Sequence, residues 1–560
     1  MNFRNRLRVS WLTLVLAVIT WCGFTASGAA QSMNAGDIRG VVTDVSGAVL
    51  PDVTVTVVNK NTGVTKVLTT NQDGLFDTAS IVTGTYEITF SKPGFQTLIR
   101  SSITVNVENI TVNAQLTVGA VTEQVVVNAD IPLLSTENAE QSTTLDSRQL
   151  SQLPQVGQDW QNFVILLPGA SGAPMAGGSQ GANDPGQVAS INGNLPYSTV
   201  LADGAAVTLP SSANADVLVL DTIQEVKIGT SAFSAQYGVG GLMFNQITKG
   251  GTDRFHGDAY EFFQNDALNA ANYAFAQQTR AQAISRLRYN NFGFSIGGPI
   301  LKRKLFFFFN YDKTINPGAS TPQTTTVPTA AMLAGDFTGQ PTIYDPATTT
   351  VVNGVVHRIS FADEYGNGNK IPASRFDPLA ANLQPFYPKA NTAGTIASNG
   401  ITQNNFIYNV PNAQPFTKFF GRADYDIRGN NRLTATVQQS DNPAYSNGQG
   451  FCPINCQSQD VSRYNAQVTD VWTISPNVVN ELRLGYTNQL NFFVPATLNQ
   501  GFPSKLGWQY AKADNFPQIN INGYYQLTSA INAVYKEHVY DPSDVVTLVR
   551  GRHIDRKSVV

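Results

Sequence analysis

Residues 238–264 read GVGGLMFNQITKGGTDRFHGDAYEFFQ, and the chain changes character midway through them. Upstream, Gly238, Gly240 and Gly241 surround a few apolar residues and let a backbone lie against another wall with no side chains between. Downstream, polar, charged and aromatic residues mix, and an alternation begins that continues toward the C-terminus. Phe244 to Thr248 reads as the closing strand of one unit, Lys249 to Asp253 as a turn, and Phe255 to Gln264 as the first strand of the next. Gly238, Gly240, Gly241, Asn245, Lys249, Gly250 and Gly251 therefore mark a seam. Adjacent Phe262 and Phe263 break the alternation, which places the boundary to within ~2 to 4 residues.

Beyond the seam the chain is a succession of two-faced strands. RYNNFGFSIGGPI sets Phe292, Phe294 and Ile296 against Asn291, Gly293 and Ser295, and FFGRADYDIRG sets Phe419, Ala423, Tyr425 and Ile427 against Arg422, Asp424 and Asp426. ELRLGYTNQL sets Leu482, Leu484, Tyr486 and Leu490 against Glu481, Arg483 and Thr487. One face suits lipid and the other water, the dyad repeat of a transmembrane antiparallel β-barrel. KLFFFFNYD is the exception, since two of Phe306 to Phe309 must face inward. A large soluble β-sandwich or propeller shows the same alternation, so the choice rests on the other end of the chain.

There, MNFRNRLRVSWLTLVLAVITWCGFTASGAAQS carries Arg4, Arg6 and Arg8, an apolar run from Trp11 to Phe24, and small Gly28 and Ala30 before Gln31. This pattern reads as a secretory signal peptide over residues 1–30, because the run is ~14 residues where a spanning helix needs ~20. Bulky Trp21 argues against a lipoprotein signal at Cys22. No later segment is apolar for long enough to span as a helix, so a membrane-embedded chain would use strands. Composition agrees: the 560 residues are only 13% charged, against about 25% in ordinary soluble proteins. A net charge of −3 offers no basic field for nucleic acid. Four histidines leave little material for a metal site.

Asp37 to about Leu116 reads as a β-sandwich of short alternating strands. Val53, Val55 and Val57 share one face of VTVTVVN, and Tyr86, Ile88 and Phe90 share one face of GTYEITF. Turns fall at DVSG, NTG, NQDG and KPGF, each with a glycine suited to positive φ. The run GVVTDVSGAVLPDVTVTV, then TGVTKVLTTNQDGLF and TGTYEITFSKPGFQT, resembles the carboxypeptidase regulatory-like domain over residues 37–117. That resemblance implies a transthyretin-like fold without catalytic machinery, serving as a periplasmic accessory or spacer. Neither His256 nor His357 has a glutamate at zinc-ligand spacing.

Residues 118–136 read as a linker. Within it, Thr122, Glu123, Gln124, Val125, Val126, Val127, Asn128 and Ala129 resemble a TonB box, an extended segment that offers its backbone to a partner's sheet edge. A last sandwich strand is the other reading, and β-branched Val125 to Val127 favour an extended state in both. Residues 137–250 then contain, in order, the INGN turn at Ile191, the L201ADG turn, IQEVKI from Ile223 to Ile228, Tyr237–Gly238 and the glycine pair before Asn245. Together these resemble the plug of TonB-dependent outer-membrane receptors, particularly the branch called Oar-like that carries a regulatory-like sandwich in front. The resemblance implies a small mixed α/β plug followed by a barrel over 251–553.

A plugged 22-stranded barrel needs on the order of 550 residues at ~25 per strand and connection. Only about 310 follow Thr252, a little over half of that requirement. VVTLVRGRH reads as a strand and basic turn, after which IDRKSVV supplies no closing aromatic strand. The expectation is thus the N-terminal part of a truncated barrel, with residues 554–560 a candidate non-native tail. Long polar insertions such as Asn316 to Gly400 are expected as extracellular loops. In another, FCPINC places Cys452 beside Cys456, where an oxidising exterior favours a disulfide over a metal pair lacking further ligands.

The resemblance implies an outer-membrane receptor that takes up a large or scarce substrate such as an oligosaccharide, chelated metal or peptide. Its partners would be TonB with its inner-membrane motor, outer-membrane lipid and the transported substrate. Protein export, or a surface adhesion or structural role, is the alternative. No cofactor, metal or catalytic residue is expected, because no acid, base and nucleophile set stands out.

Overall fold

The computed structural model describes residues 35–559 except for internal stretches, chiefly 120–123, 129–140, 153–169, 173–188, 192–197, 211–217, 232–241, 271–286, 316–320, 411–414 and 447–453. The expected signal peptide therefore lies outside the described residues, as do Gly238, Gly240 and Gly241 of the seam.

The front unit is a two-sheet sandwich. Five strands run in the order Thr65–Thr69, Thr54–Asn59, Gly84–Ser91, Thr97–Val105 and Gln124–Asn128. Opposite them, Asp37–Asp44 pairs with Leu75–Asp77, Asn109–Thr111 and Ala114–Leu116. Val53, Val55, Val57, Tyr86, Ile88 and Phe90 are all buried in its core. Gly47, Gly63, Gly74 and Gly94 of the four expected turns all take positive φ. The segment expected as linker contributes Gln124–Asn128 as a fifth strand, parallel to Thr97–Val105.

A smaller mixed sheet follows, ordered Gln141–Asp146, Ile223–Ser231, Leu242–Thr248, Ser198–Ala202 and Ala205–Ala206, with only Ser198–Ala202 and Leu242–Thr248 parallel. The irregular alternation of IQEVKI has a physical cause, since the register shifts between Ile223 and Glu225. A bulge inserts one residue and changes phase, so Ile223, Val226 and Ile228 all reach the core.

The third unit is a nine-stranded antiparallel meander: His256–Asn265, Arg288–Leu301, Leu305–Ile315, Phe416–Arg428, Asn431–Ser446, Gln457–Ser475, Val478–Pro495, Ala533–Arg550 and His553–Val559. Residues 554–560, expected as a foreign tail, run almost wholly within the last of these strands, paired to Val545 and its neighbours. Short turns join strands at one end, as between Leu301 and Leu305 or Arg428 and Asn431, and long loops join them at the other. The burial pattern is inverted relative to a soluble sheet. Arg463, Asn465, Gln467 and Thr469 are buried, whereas Tyr464, Val468 and Trp472 on the opposite face are exposed. The next strand repeats this with buried Glu481, Arg483, Thr487 and Gln489 against exposed Leu482 and Leu484.

The inner face of this wall is covered by the mixed sheet. Phe308 and Phe420 of the wall join the inner sheet's core around Val200, Ile223, Ile228 and Phe244. Phe306 and Phe308 are thus the two inward phenylalanines of the FFFF run, both buried. At the loop end, the long polar insertion after Ile315 contributes to a folded cap with a core of its own. Its helix Pro378–Leu383 and strand Phe406–Val410 pack with helix Phe502–Leu506 and the segment Phe516 to Leu527 around Val327, Leu383, Phe406, Leu506, Phe516 and Leu527.

Candidate functional site at the seam

The inner sheet is held by one turn. Ala202 and Ala205 pair across a two-residue connection, and Asp203 (φ 45°) and Gly204 (φ 80°) both adopt the left-handed conformation that such a hairpin requires. The Asp203 carboxylate accepts from the Thr248 backbone N–H at 2.9 Å and from its hydroxyl at 2.7 Å, tying the turn to the last residue of the closing strand.

Four wall strands grip this turn. Arg422 donates Nη1 to the Thr248 carbonyl at 2.8 Å and to its Oγ1 at 2.9 Å. The same guanidinium forks onto Asp424, Nε to Oδ2 at 2.9 Å and Nη2 to Oδ1 at 3.0 Å. Asp424 is fully buried and is completed by Thr434 Oγ1 at 2.9 Å and Arg432 at 3.3 Å. Gln467 Nε2 donates to the Asp203 carbonyl at 2.7 Å, and Arg483 Nη1 to the Gly204 carbonyl at 2.7 Å while its Nη2 pairs with Glu481 at 2.6 Å. Thr487 donates to the Ala206 carbonyl and Asp541 accepts the Ala206 N–H, both at 2.9 Å. Four of these bonds reach backbone groups of residues 203–206, so the wall recognises the shape of the turn. Hydrogen bonds of this type are strong when shielded from water and readily exchange for bonds to water when exposed to it.

Of the seam residues read from sequence, Asn245, Lys249, Gly250 and Gly251 are brought together here. Asn245 Oδ1 accepts from Gly204 N at 3.1 Å, and Lys249 pairs with Asp221 at 3.3 Å. Gly251 passes so close to the wall that an added Cβ would meet the Phe307 carbonyl oxygen at 2.3 Å. Asp203 was marked only as part of the L201ADG turn, and Thr248, Arg432 and Gln467 carried no individual sequence signal beyond the polar phase of their strands.

The sandwich closes the short-turn end. The Val107 N–H donates to buried Glu225 of the inner sheet at 2.8 Å, and Asp253 N donates to the Asn61 carbonyl at 3.0 Å. Lys66 donates to Thr473 Oγ1 of a wall strand at 3.1 Å and to the Thr78 carbonyl at 2.6 Å. Burial lowers its ammonium pKa to about 8, against the opposing pull of Asp37 and Asp77. A cavity of about 400 Å³ lies between sandwich, inner sheet and wall, lined by Tyr86, Thr248, Arg422, Asp424 and Arg432 among others.

The remaining sequence-derived candidates lie elsewhere. Gln124 to Asn128 form the sandwich's edge strand, whereas Thr122, Glu123 and Ala129 are outside the described residues. Cys456 is buried and disulfide-bonded beside the loop cap, and Cys452 is outside the described residues. Among the described residues no group of three or more His, Cys, Asp or Glu side chains is placed to hold a metal ion.

An apolar face turned outward, a polar face turned onto an inner sheet, and short turns alternating with long loops define the wall of a membrane β-barrel. The chain belongs to the outer membrane β-barrel domain family, whose model matches residues 247–554. A carboxypeptidase regulatory-like domain matches residues 37–118. The chain is 25% identical over 309 residues to the TonB-dependent transporter Oar of Myxococcus xanthus, covering 52% of this chain and 28% of that one. Among solved structures it is similar to the siderophore receptor PirA from Acinetobacter baumannii (13% identity, 73% of this chain and 45% of that, TM-score 0.40). It is also similar to the outer membrane transporter YddB from Escherichia coli (10% identity, 74% and 47%, TM-score 0.43). The chain thus spans about 28% of the curated relative and under half of each of these solved chains.

Proposed function

We propose that this chain is a TonB-dependent outer-membrane receptor in which the mixed sheet is the plug, the loop cap is the outer binding surface and the sandwich lies in the periplasm. The observation that carries this reading is the grip on residues 203–206. A turn fastened to the wall by polar side chains on its backbone is suited to release, as a gate must be. The outer membrane has no ATP, so work on the gate has to arrive from the inner membrane, and Thr122 to Ala129 is the segment proposed to receive it from TonB and its motor. Similarity to a TonB-dependent transporter supports this coupling. The substrate class is large or scarce solutes, such as oligosaccharides, chelated metals or peptides. No residue is assigned a catalytic role.

The test replaces Val125, Val126 and Val127 with proline in the full chain within its native cell. Uptake of the substrate that a deletion strain fails to accumulate should be lost while surface binding persists. Unchanged uptake would overturn the coupling, and a deletion strain defective only in releasing a protein would point to export instead.

A further inference from the structure

The strand Gln124–Asn128 sits at the end of the five-stranded sandwich sheet, paired on one side only among the described residues. Five consecutive register pairs, Thr97 with Gln124 through Ser101 with Asn128, hold it parallel to its neighbour. Its free side presents the backbone of QVVVN, and the side chains of Val125 and Val126 are 43% and 61% exposed.

Edge strands invite pairing with other chains, and proteins blunt them with charge, proline or bulges. This edge has none of the three: it carries no charged residue and no proline, and its register is unbroken. Its backbone is already extended, so an incoming strand does not bear the cost of ordering it. Addition of a partner strand to such an edge is the general mode of β-augmentation.

We propose that the coupling segment acts while still part of the sandwich: the partner's strand adds to the free side of Gln124–Asn128 and extends the sandwich sheet. This rests on the receptor reading above, with the partner a periplasmic TonB domain. The load is then taken by the whole sandwich rather than by a bare peptide. Three contacts carry it to the seam, Val107 on Glu225, Asn61 on Asp253 and Lys66 on Thr473. The sandwich is therefore part of the transmission, which explains why its closed face lies against inner sheet and wall together.

The test locks the strand in place. Ile99 and Val126 are register partners, and paired strands fall within the Cα spacing a disulfide spans. The full-length I99C/V126C chain is purified, and capture of the purified periplasmic domain of TonB is measured with the pair oxidised and reduced. Equal capture, within about twofold, is expected, whereas Val126→Pro should weaken capture at least tenfold. Capture by the reduced form that falls tenfold or more on oxidation overturns the proposal, because the segment must then leave the sandwich, while the receptor reading stands. Absence of capture by the wild-type chain overturns both.

Discussion

Arg422 holds two obligations, closing the fork on buried Asp424 and fastening the Thr248 carbonyl. Removing one partner of a buried pair costs more than the pair contributes, because the remaining charge is left without compensation. Arg422→Met should therefore lower stability by about 3 kcal/mol, tempered here because Arg432 still faces Asp424. The double variant Arg422→Met/Asp424→Asn should recover part of that loss, as coupled neighbours do, and thermal unfolding in detergent micelles reads both. Gly251 is a steric obligation at the same seam. An alanine there would collide with the backbone of Phe307 rather than with a flexible side chain, so Gly251→Ala should cost about 1 to 3 kcal/mol, as overpacking does. Gly339→Ala gives the control, since nothing lies within 4 Å of its added Cβ, although its own φ of 79° adds backbone strain. A Gly251 loss no larger than the control's would show that the seam yields.

Lys66 reports whether the sandwich strand Thr65–Thr69 stays docked against the wall. Its folded pKa, about 8, lies below the ordinary value of 10.5 because burial penalises the charged form. The unfolded chain therefore binds more protons between pH 8 and 10.5, and stability contributed by this group must rise with pH across that window. Below pH 8 the penalty is fully present. The melting temperature of the wild-type chain should climb relative to Lys66→Met between those limits, and parallel curves would dismiss the effect. At this scale the sequence was also most readable. The pairs Leu482/Leu484 against Glu481/Arg483 and Phe292/Phe294 against Asn291/Ser295 marked the two faces of wall strands correctly, because a period of two survives in any half-buried strand. The strand at Ile223 was harder, since a bulge shifts phase without changing composition. The turn at Asp203 was legible as a turn, but its four wall partners come from residues up to 335 positions away, and no local pattern records such pairings. The loop cap was missed for a related reason: Leu383, Phe406 and Phe516 are scattered among polar residues and form a core only when two distant loops meet.

For the molecule as a whole, the decisive property is the sign of its outer surface. In water, Leu482, Leu484, Val468 and Trp472, exposed together on adjacent strands, would form the sort of apolar patch that drives aggregation. In lipid the same patch is the solvent contact. The two environments make opposite demands on one substitution. Leu484 is 53% exposed on this face, and a surface change in a soluble protein is usually worth under about 0.5 kcal/mol. An arginine facing the hydrocarbon core instead costs about 2 to 4 kcal/mol near the midplane. Leu484→Arg should accordingly reduce insertion of the urea-unfolded chain into phospholipid vesicles and lower the urea midpoint of the inserted protein. Leu484→Phe, which keeps the apolar surface, should leave both near wild type. Equal behaviour of the two variants would mean that this face meets water or another protein, whereas separation by 2 kcal/mol or more, the scale of that estimate, is what a lipid-facing wall requires.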